Sequence, residues 1–249
     1  MDMRIDRLSG DLVIYQPVRG QRYTTDDMLV AWLAVREIRD GAEAAVPAFL
    51  DLGCGLCSVP MIIVWCCPGL RGIGIEASSE RLACARRSLA ANHLEDRFQL
   101  INADLKSLRL KTSFGFITSS PPYYEFREGP LSSNPDRARV RFETRGSIED
   151  YFQAAAAHAA PQALFITVYP ARYNQRTRDA ARGTGFSIRR SVDIIPREGK
   201  PPLFTLFTCV KGRSRSCQIE KMTVRGTNLL FTPEFRAARR MLGFPDKPR

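Results

Sequence analysis

The sequence predicts an α/β fold in which helices cover both faces of a mostly parallel, seven-stranded sheet. Short apolar runs alternate with longer segments of helical period, an alternation typical of parallel sheets. The first clear strand runs into a glycine turn, Gly53-Cys54-Gly55, and acidic residues recur where successive strands end. Because ligands of open α/β sheets bind at the carboxyl ends of strands, these features also predict where a site should lie.

Seven segments are predicted strands because each is apolar and bounded by glycine, proline or polar residues. They are 48–55 (with its glycine turn), 70–78, 97–105, 114–120, 163–170, 186–196 and 203–212, the last two closing the sheet. Four segments have helical patterns: 59–67, 79–93, 147–160 and 173–185. We predict Ser79 as the N-cap of the second helix and a capping box from Ser147 to Asp150 for the third.

The chain has 249 residues, a length that suits one α/β domain. We expect a lead-in over 1–45, a Rossmann-like core over 46–212 and a basic segment over 213–249. Residues 1–100 carry 11 Lys/Arg and 13 Asp/Glu, a balance of −2. Residues 171–249 carry 18 Lys/Arg and 6 Asp/Glu, a balance of +12. A basic half beside a near-neutral half indicates a surface for nucleic acid, and on charge alone RNA and DNA are equally compatible.

Composition also bears on compartment, membrane and metal. No apolar run approaches the roughly 20 residues of a membrane helix, and the start of the chain lacks the apolar stretch of a secretion signal. We expect a cytoplasmic protein, or one of the mitochondrial matrix if a presequence has been removed. Seven cysteines, an odd number, favour free thiols in a reducing compartment. Cys54 and Cys57 form a C-x-x-C, but no partner motif completes a metal site, so no metal is predicted.

The predicted cofactor site surrounds the glycine turn. Gly53 and Gly55 let the backbone approach a bound nucleoside, and Asp51 immediately precedes the turn. Glu76 ends the next strand, at the distance expected for a carboxylate that binds both ribose hydroxyls of an adenosine cofactor. Asp104 ends the third strand, within reach of the adenine amino group.

Two adenosine cofactors compete for such a site. A dinucleotide needs a further small residue after the second glycine, which Ser58 supplies imperfectly, and it places its pyrophosphate at a helix N-terminus. S-adenosylmethionine carries no phosphate, and its cationic sulfonium suits a site lined by carboxylates. The sequence therefore favours S-adenosylmethionine and methyl transfer.

The stretch SSPPYY at the end of the fourth strand predicts the group that receives the methyl. An exocyclic base amino group is a poor nucleophile, and two acceptors can hold its hydrogens while the methyl arrives. We assign these acceptors to the Ser120 side chain and the Pro121 carbonyl, with Pro121 and Pro122 stiffening the loop. Tyr123 would stack on the extruded base. The polar, aperiodic region 125–146 that follows is a candidate substrate loop.

These motifs resemble those of class I methyltransferases that act on amino groups, whose fourth motif is Asn/Asp/Ser-Pro-Pro-aromatic. More narrowly, the chain resembles bacterial tRNA(Val) adenine-N6 methyltransferases: QPVRGQRYTTDDMLVAWLA, SIEDYFQAAA, IIPREGKPPLFTLFTCVKG and FTPEFRA have counterparts in order. The resemblance implies a Rossmann-like class I fold, S-adenosylmethionine as cofactor and tRNA adenine N6 as substrate. It also implies a cofactor role for Tyr23, Thr24 and Asp26.

Three functions remain open at this point. The first is methylation of a base amino group in structured RNA, most simply adenine N6 in tRNA. The second is a non-catalytic RNA-binding factor of ribosome or tRNA maturation, with ribosome-assembly proteins as partners. It arises because Cys57 replaces a glycine in the cofactor turn and Ser120 replaces the usual asparagine. The third is a protein glutamine methyltransferase, against which the basic C-terminal half argues.

Overall fold

The computed structural model describes residues 2–42, 48–122, 146–214 and 216–245. Ten strands are present in that part of the chain: β1 (Met3–Arg7), β2 (Val13–Pro17), β3 (Ala48–Leu52), β4 (Arg71–Glu76), β5 (Phe98–Asn102), β6 (Phe114–Ser119), β7 (Ala159–Pro170), β8 (Phe186–Ile195), β9 (Phe204–Lys211) and β10 (Gln218–Thr223). The α-helices are α1 (Thr25–Glu37), α2 (Ser58–Cys66), α3 (Ser79–Ala91), α4 (Ile148–His158), α5 (Asn174–Gly183) and α6 (Pro233–Met241).

Eight of the strands form one sheet in the order β10-β8-β9-β7-β6-β3-β4-β5, and β1 and β2 form a separate antiparallel hairpin. The pairs β7-β6, β6-β3, β3-β4 and β4-β5 are parallel. In contrast, β9 is antiparallel to both β7 and β8. The predicted mostly parallel α/β sheet is confirmed. The expectation that the strand at 203–212 closes it was wrong, because β10 adds an eighth strand, parallel to β8.

The sheet separates two apolar clusters, and β6 has buried apolar side chains on both of its faces. Phe116 is buried in the cluster that contains the α1 and α2 side chains. The next residue, Ile117, is buried in the cluster on the other face, which contains Phe152 of α4. Successive strand residues point to opposite faces, so a strand covered by helices on both sides needs apolar residues at both parities.

Helix caps fix where α3 and α4 begin. The N-cap of α3 is Ser78, whose hydroxyl accepts the Arg81 N–H at 3.4 Å, so the cap lies one residue before the predicted Ser79. The predicted capping box of α4 is confirmed: Ser147 Oγ accepts the Asp150 N–H at 3.3 Å, and Asp150 accepts the Ser147 N–H at 2.8 Å.

The C-terminal end of α1 is held to the sheet by a buried carboxylate. The side chain of Glu37 is fully buried and accepts hydrogen bonds from Arg190 Nε at 2.9 Å and Thr208 Oγ1 at 2.8 Å. Arg189 also pairs with Glu37, and Arg190 pairs further with Glu220 of β10. These contacts connect α1 to three neighbouring strands, β8, β9 and β10.

Segments from the two ends of the chain pack together over α2. The Ser9 hydroxyl donates to the Leu242 carbonyl at 2.5 Å, and the Gly10 N–H donates to the Gly243 carbonyl at 2.9 Å. A Cβ on either glycine would lie within 2.5 Å of the Trp65 ring. Both glycines also have positive φ, so this junction requires glycine for space as well as for backbone conformation.

The described residues also bear on the membrane and metal expectations drawn from composition. No helix among them is long and apolar enough to span a bilayer. No group of three or more His, Cys, Asp or Glu side chains in the same residues is arranged to hold a metal ion.

Candidate functional site

A cleft opens at the carboxyl ends of β3, β4 and β6, where the chain order along the sheet reverses between β3 and β6. This topological switch point is where open α/β sheets bind their ligands. Its walls come from the start of α1, the glycine turn after β3, the end of β4 and the end of β6. Residues lining it include Thr24, Asp26, Asp27, Asp51, Gly53, Cys54, Gly55, Ser58, Glu76, Arg81, Ser120, Pro121, Pro122 and Tyr151.

The glycine turn forms the floor of the cleft in a conformation that requires glycine. Gly53 and Gly55 have φ of 71° and 57°, in the left-handed region. A Cβ on Gly53 would lie 2.5 Å from the Tyr151 hydroxyl, and one on Gly55 would lie 2.3 Å from Arg81 Nη2. The missing side chains make room for Tyr151 and Arg81 against the turn, which itself lines the cleft.

Glu76 lies at the end of β4 with its carboxylate nearly buried in the wall of the cleft. One carboxylate oxygen accepts the Gly55 N–H at 3.1 Å, and the other accepts the Ser78 N–H at 2.7 Å. The Arg81 Nε lies 3.7 Å from the first oxygen. Glu76 therefore couples the glycine turn to the start of α3 and still presents its charge to the cleft.

Three further carboxylates surround the same space. Asp26 and Asp27 lie in the first turn of α1, where Thr24 is the N-cap; the Thr24 hydroxyl donates to Asp26, and the Thr24 N–H donates to Asp27 at 3.2 Å. The Ser58 hydroxyl donates to Asp27 at 3.1 Å. Asp51 ends β3 and accepts the Thr118 hydroxyl at 2.5 Å.

Burial and mutual repulsion make these carboxylates poor acids. Burial raises the pKa of Asp51 to about 8, with nearby Asp27 and Glu76 adding to the shift and the Thr118 hydroxyl opposing it. Burial and the Asp26 charge raise the pKa of Asp27 to about 6. Burial also raises the pKa of Asp26, against hydrogen bonds from Thr24 and Ser120. A cation in the cleft would relieve this repulsion.

The residues predicted to hold the amino group lie at the end of β6. Ser120, Pro121 and Pro122 all line the cleft, directly across from the start of α1. The Ser120 side chain interacts with both Asp26 and Asp27. The structure thus brings most of the predicted catalytic and cofactor residues into one cleft: Thr24, Asp26, Asp51, Gly53, Gly55, Glu76, Ser120, Pro121 and Pro122. Tyr123 and most of the predicted loop 125–146 lie outside the described residues.

Two predicted cofactor residues do not line the cleft. Tyr23 is half-buried against the core, and its hydroxyl donates to the Arg7 carbonyl at 3.4 Å, away from the cavity. Asp104 is exposed, and its carboxylate accepts the Lys106 N–H at 2.9 Å in the turn after β5. Its neighbours Ala103 and Leu105 line the cleft instead, so adenine would meet an apolar wall there.

The cysteine that replaces a glycine in the turn does not crowd the cleft. Cys57 has φ of 67°, and its side chain is completely buried in the apolar cluster around α1 and α2. Cys54 is the thiol that lines the cavity. Cys57 therefore leaves the cleft open to a cofactor, because the left-handed backbone turns its thiol into the core.

Sequence reasoning missed three residues of the cleft: Asp27, Arg81 and Tyr151. Asp27 follows the predicted Asp26 and completes the helix cap, a pattern that could have identified it. Arg81 and Tyr151 come from α3 and α4, and only the packing of those helices brings them against Gly55 and Gly53. No local motif signals such a contact.

The cleft fits S-adenosylmethionine by its own chemistry. Its space not filled by atoms is about 1380 Å³, including the part open to solvent. It combines a glycine floor without side chains, a nearly buried Glu76 and aspartates whose pKa values are raised chiefly by burial; Arg19, Arg22 and Arg81 also line it. S-adenosylmethionine has ribose hydroxyls for Glu76 and positive charge for the aspartates.

Comparison with curated proteins finds bacterial methyltransferases. The chain is 28% identical over 224 residues to the tRNA1(Val) (adenine(37)-N6)-methyltransferase of Shewanella amazonensis, covering 89% of this chain and 91% of the relative. It is 24% identical over 217 residues to the protein of the same name from Citrobacter koseri, covering 86% and 84%. No protein-family profile matches the chain. The resemblance seen in the motifs is confirmed by these relatives.

Solved structures confirm the fold. A predicted O-methyltransferase from Agrobacterium tumefaciens superposes with a TM-score of 0.65 at 21% identity, covering 90% of this chain and all of the other. The ribosomal protein L11 methylase of Lactobacillus delbrueckii superposes with a TM-score of 0.56 at 14% identity, covering 84% and 99%. The chain has the fold of class I S-adenosylmethionine-dependent methyltransferases.

Proposed function

We propose that this chain, a class I methyltransferase by fold and by its relatives, transfers a methyl group from S-adenosylmethionine to the N6 amino group of an adenine in tRNA. The observation that supports this most directly is the single cleft in which Ser120, Pro121 and Pro122 face the carboxylates of α1 and the glycine turn. The relatives named as tRNA adenine-N6 methyltransferases supply the substrate class.

In this proposal Gly53, Gly55 and Glu76 bind the adenosine end of the cofactor, and Asp26 and Asp51 provide negative potential for its positive charges. Thr24 contributes by capping α1 and orienting Asp26. The cofactor, when bound, supplies an electrophilic methyl group on a cationic sulfur. Asp104 lies on the exposed turn after β5, so it would contact the cofactor only at the rim of the cleft.

The amino group of the target base is held at the end of β6. Ser120 Oγ and the Pro121 carbonyl accept its two hydrogens, so that its lone pair points at the methyl group, and Tyr123 stacks on the base. The cofactor, held by Gly53, Gly55 and Glu76, would supply the methyl group that this nitrogen accepts. The proton then leaves the nitrogen, and the raised pKa of Asp27, about 6, suits that carboxylate as its acceptor.

The charge of the C-terminal half supports RNA as the substrate. Residues 171–249 carry a balance of +12, and phosphate contacts supply most of the affinity of proteins for nucleic acid. A protein glutamine methyltransferase has no need of such a surface. The RNA-binding factor without turnover is the remaining alternative, and cofactor binding distinguishes it.

The test is a calorimetric titration with S-adenosylmethionine and S-adenosylhomocysteine, followed by methyl transfer from labelled cofactor to tRNA transcripts. We expect micromolar cofactor binding and transfer to adenine. Ser120→Ala should retain cofactor affinity and lower the transfer rate about tenfold, the contribution of one neutral hydrogen bond. Ser107→Ala, an exposed serine outside the cleft, is the control. Absence of binding at millimolar cofactor would instead support the RNA-binding factor.

We also predict that cofactor binding releases protons. Below pH 8 the free protein holds a proton on Asp51, and a bound cation favours the ionised carboxylate. Affinity should therefore rise about 30-fold between pH 5.5 and 7, a window in which an α-amino group of pKa near 7.7 stays charged. Calorimetry in buffers of different ionisation enthalpy measures the released protons.

The matched variant for this linkage is Asp51→Asn, since an asparagine oxygen can still accept the Thr118 hydroxyl. In this variant the slope of log affinity against pH, which counts the protons released on binding, should be smaller by close to one. An identical pH dependence in the variant and the wild type would show that Asp51 does not titrate with cofactor binding.

A further inference from the structure

A second surface lies on the same edge of the sheet as the cleft. It is formed by two loops, residues 196–203 after β8 and 224–232 after β10. Because β9 is antiparallel to both β7 and β8, and β10 is parallel to β8, the carboxyl ends of β8 and β10 lie on the edge where β6 ends, just before Ser120. With strands about 4.8 Å apart, the two loops are three and four strand spacings from β6, about 14 and 19 Å.

Hydrogen bonds join the two loops into one unit. The Glu198 N–H donates to the Arg225 carbonyl at 2.8 Å, and the Thr227 N–H donates to the Glu198 carboxylate at 3.3 Å. The Arg225 guanidinium lies 4.3 Å from the centre of the Phe231 ring and donates to the Leu229 carbonyl at 2.5 Å. The tip of the second loop is therefore held in position before any partner arrives.

This unit exposes large apolar side chains. Leu203, Leu229 and Leu230 are 52%, 53% and 44% exposed. Leu229 also adopts φ of 64°, in the left-handed region that residues with a Cβ rarely enter. The three exposed leucines lie on two loops that hydrogen bonds join, they contribute nothing to the core, and apolar exposure concentrated in this way marks an interaction surface.

The charges around the leucines identify the partner. Arg197 and Lys200 are exposed, and among the described residues neither forms an ion pair. The nearby carboxylate, Glu198, accepts a backbone N–H from the neighbouring loop. Positive side chains beside apolar ones are the arrangement by which proteins bind phosphates while leucine or phenylalanine wedges contact unstacked bases.

We propose that this surface binds the RNA strand that flanks the target adenine. We call it the platform: Arg197, Lys200, Leu203, Arg225, Leu229 and Leu230. Arg197 and Lys200 contact phosphates, the leucines contact base faces, and Arg225 holds the tip. The 14–19 Å from β6 correspond to about four to six stacked nucleotides at roughly 3.4 Å each. The inference rests on the proposed function and specifies where its substrate lies.

The test measures binding of a fluorescein-labelled RNA stem-loop of 17 nucleotides, with an adenine in its loop, by anisotropy over a range of salt. The charge variant is Arg197→Gln with Lys200→Gln. It should bind about tenfold more weakly, with the salt slope reduced by about two, as expected for two lost phosphate contacts. Arg86→Gln with Arg87→Gln, two exposed arginines on α3 outside the basic C-terminal half, removes the same charge elsewhere and should leave affinity within about twofold of the wild type.

The apolar variant is Leu229→Ser with Leu230→Ser. It should weaken stem-loop binding about tenfold with an unchanged salt slope, and should weaken binding of a fully paired 17-base-pair RNA less, because paired bases offer no free faces. Calorimetry with S-adenosylmethionine should give wild-type affinity in both platform variants, which separates this proposal from the proposed function.

Three results would overturn the proposal. Equal losses of RNA affinity in the charge variant and its control would show that the effect comes from the net charge of the protein and not from the platform. Unchanged RNA affinity in the leucine variant would assign the leucines to a protein partner instead. Wild-type protein that binds the cofactor but not the stem-loop would remove the platform's ligand while leaving the methyltransferase proposal intact.

Discussion

Glu76→Gln is expected to weaken S-adenosylmethionine binding about 100-fold, or roughly 3 kcal/mol. The carboxylate accepts backbone N–H groups from both Gly55 and Ser78, and hydrogen bonds to charged groups contribute about 1.5–3 kcal/mol each. A glutamine has one acceptor oxygen, so its amide nitrogen would face one of those donors. The variant loses a bond that shapes the glycine turn and the charge proposed to bind the ribose. Calorimetric titration measures the change.

The control for this variant is Asp96→Asn, which removes an equal charge from an exposed position beyond α3 and should leave affinity within about twofold of wild type. The unfolding midpoint of Glu76→Gln in urea, measured without cofactor, reports any general loss of structure. Wild-type cofactor affinity in Glu76→Gln would mean that the carboxylate only braces the turn, and that the ribose is bound elsewhere.

Glu37→Ala should lower the free energy of unfolding by about 3–5 kcal/mol. The substitution removes the fully buried carboxylate of the network, and breaking a buried pair from one side leaves an uncompensated charge. Arg190, whose side chain is 9% exposed, would keep Glu220 as a partner and Asp40 at 3.7 Å, but it would lose the carboxylate that accepts its Nε–H. Equilibrium unfolding in urea measures the change.

A surface ion pair offers the comparison. Asp179 pairs with Arg182 at 3.2 Å on α5, with side chains 52% and 78% exposed. Asp179→Ala should change stability by no more than about 0.5–1 kcal/mol, the range of exposed pairs. The contrary outcome would be that Glu37→Ala lowers the free energy of unfolding no more than Asp179→Ala does. That result would mean that the attraction within the buried network only balances the cost of removing its charges from water.

Much of this fold was predictable because local signals agreed with the tertiary structure. The strands around the cleft are apolar at both parities, and the Ser147–Asp150 capping box follows from two side chains three residues apart. β10 was missed because its sequence, QIEKMT, is that of an edge strand with four polar residues in six. Such a strand forms because β8 offers it hydrogen-bonding groups, which no property of residues 218–223 reports.

The site was predictable where a strand end determines position. Asp51, Glu76 and Ser120 lie at the carboxyl ends of strands, so their place in one cleft follows from the topology. Tyr23 departs from the prediction because the chain before α1 turns it towards the β1–β2 hairpin. Cys57 departs because one left-handed backbone conformation reverses the direction of its side chain. Both outcomes depend on backbone directions that the order of residue types does not determine.

The contact of Ser9 and Gly10 with Leu242 and Gly243 has a consequence for synthesis. These partners are 233 residues apart along the chain. At about 5–20 residues per second, a ribosome needs roughly 10–50 s to make the second partner after the first. During that interval the surface of α2 around Trp65 lacks its cover. In a nascent chain, the segment around Ser9 and Gly10 therefore reaches its native packing only when the C-terminal segment has been made. Until then, this region is open to chaperones and proteases.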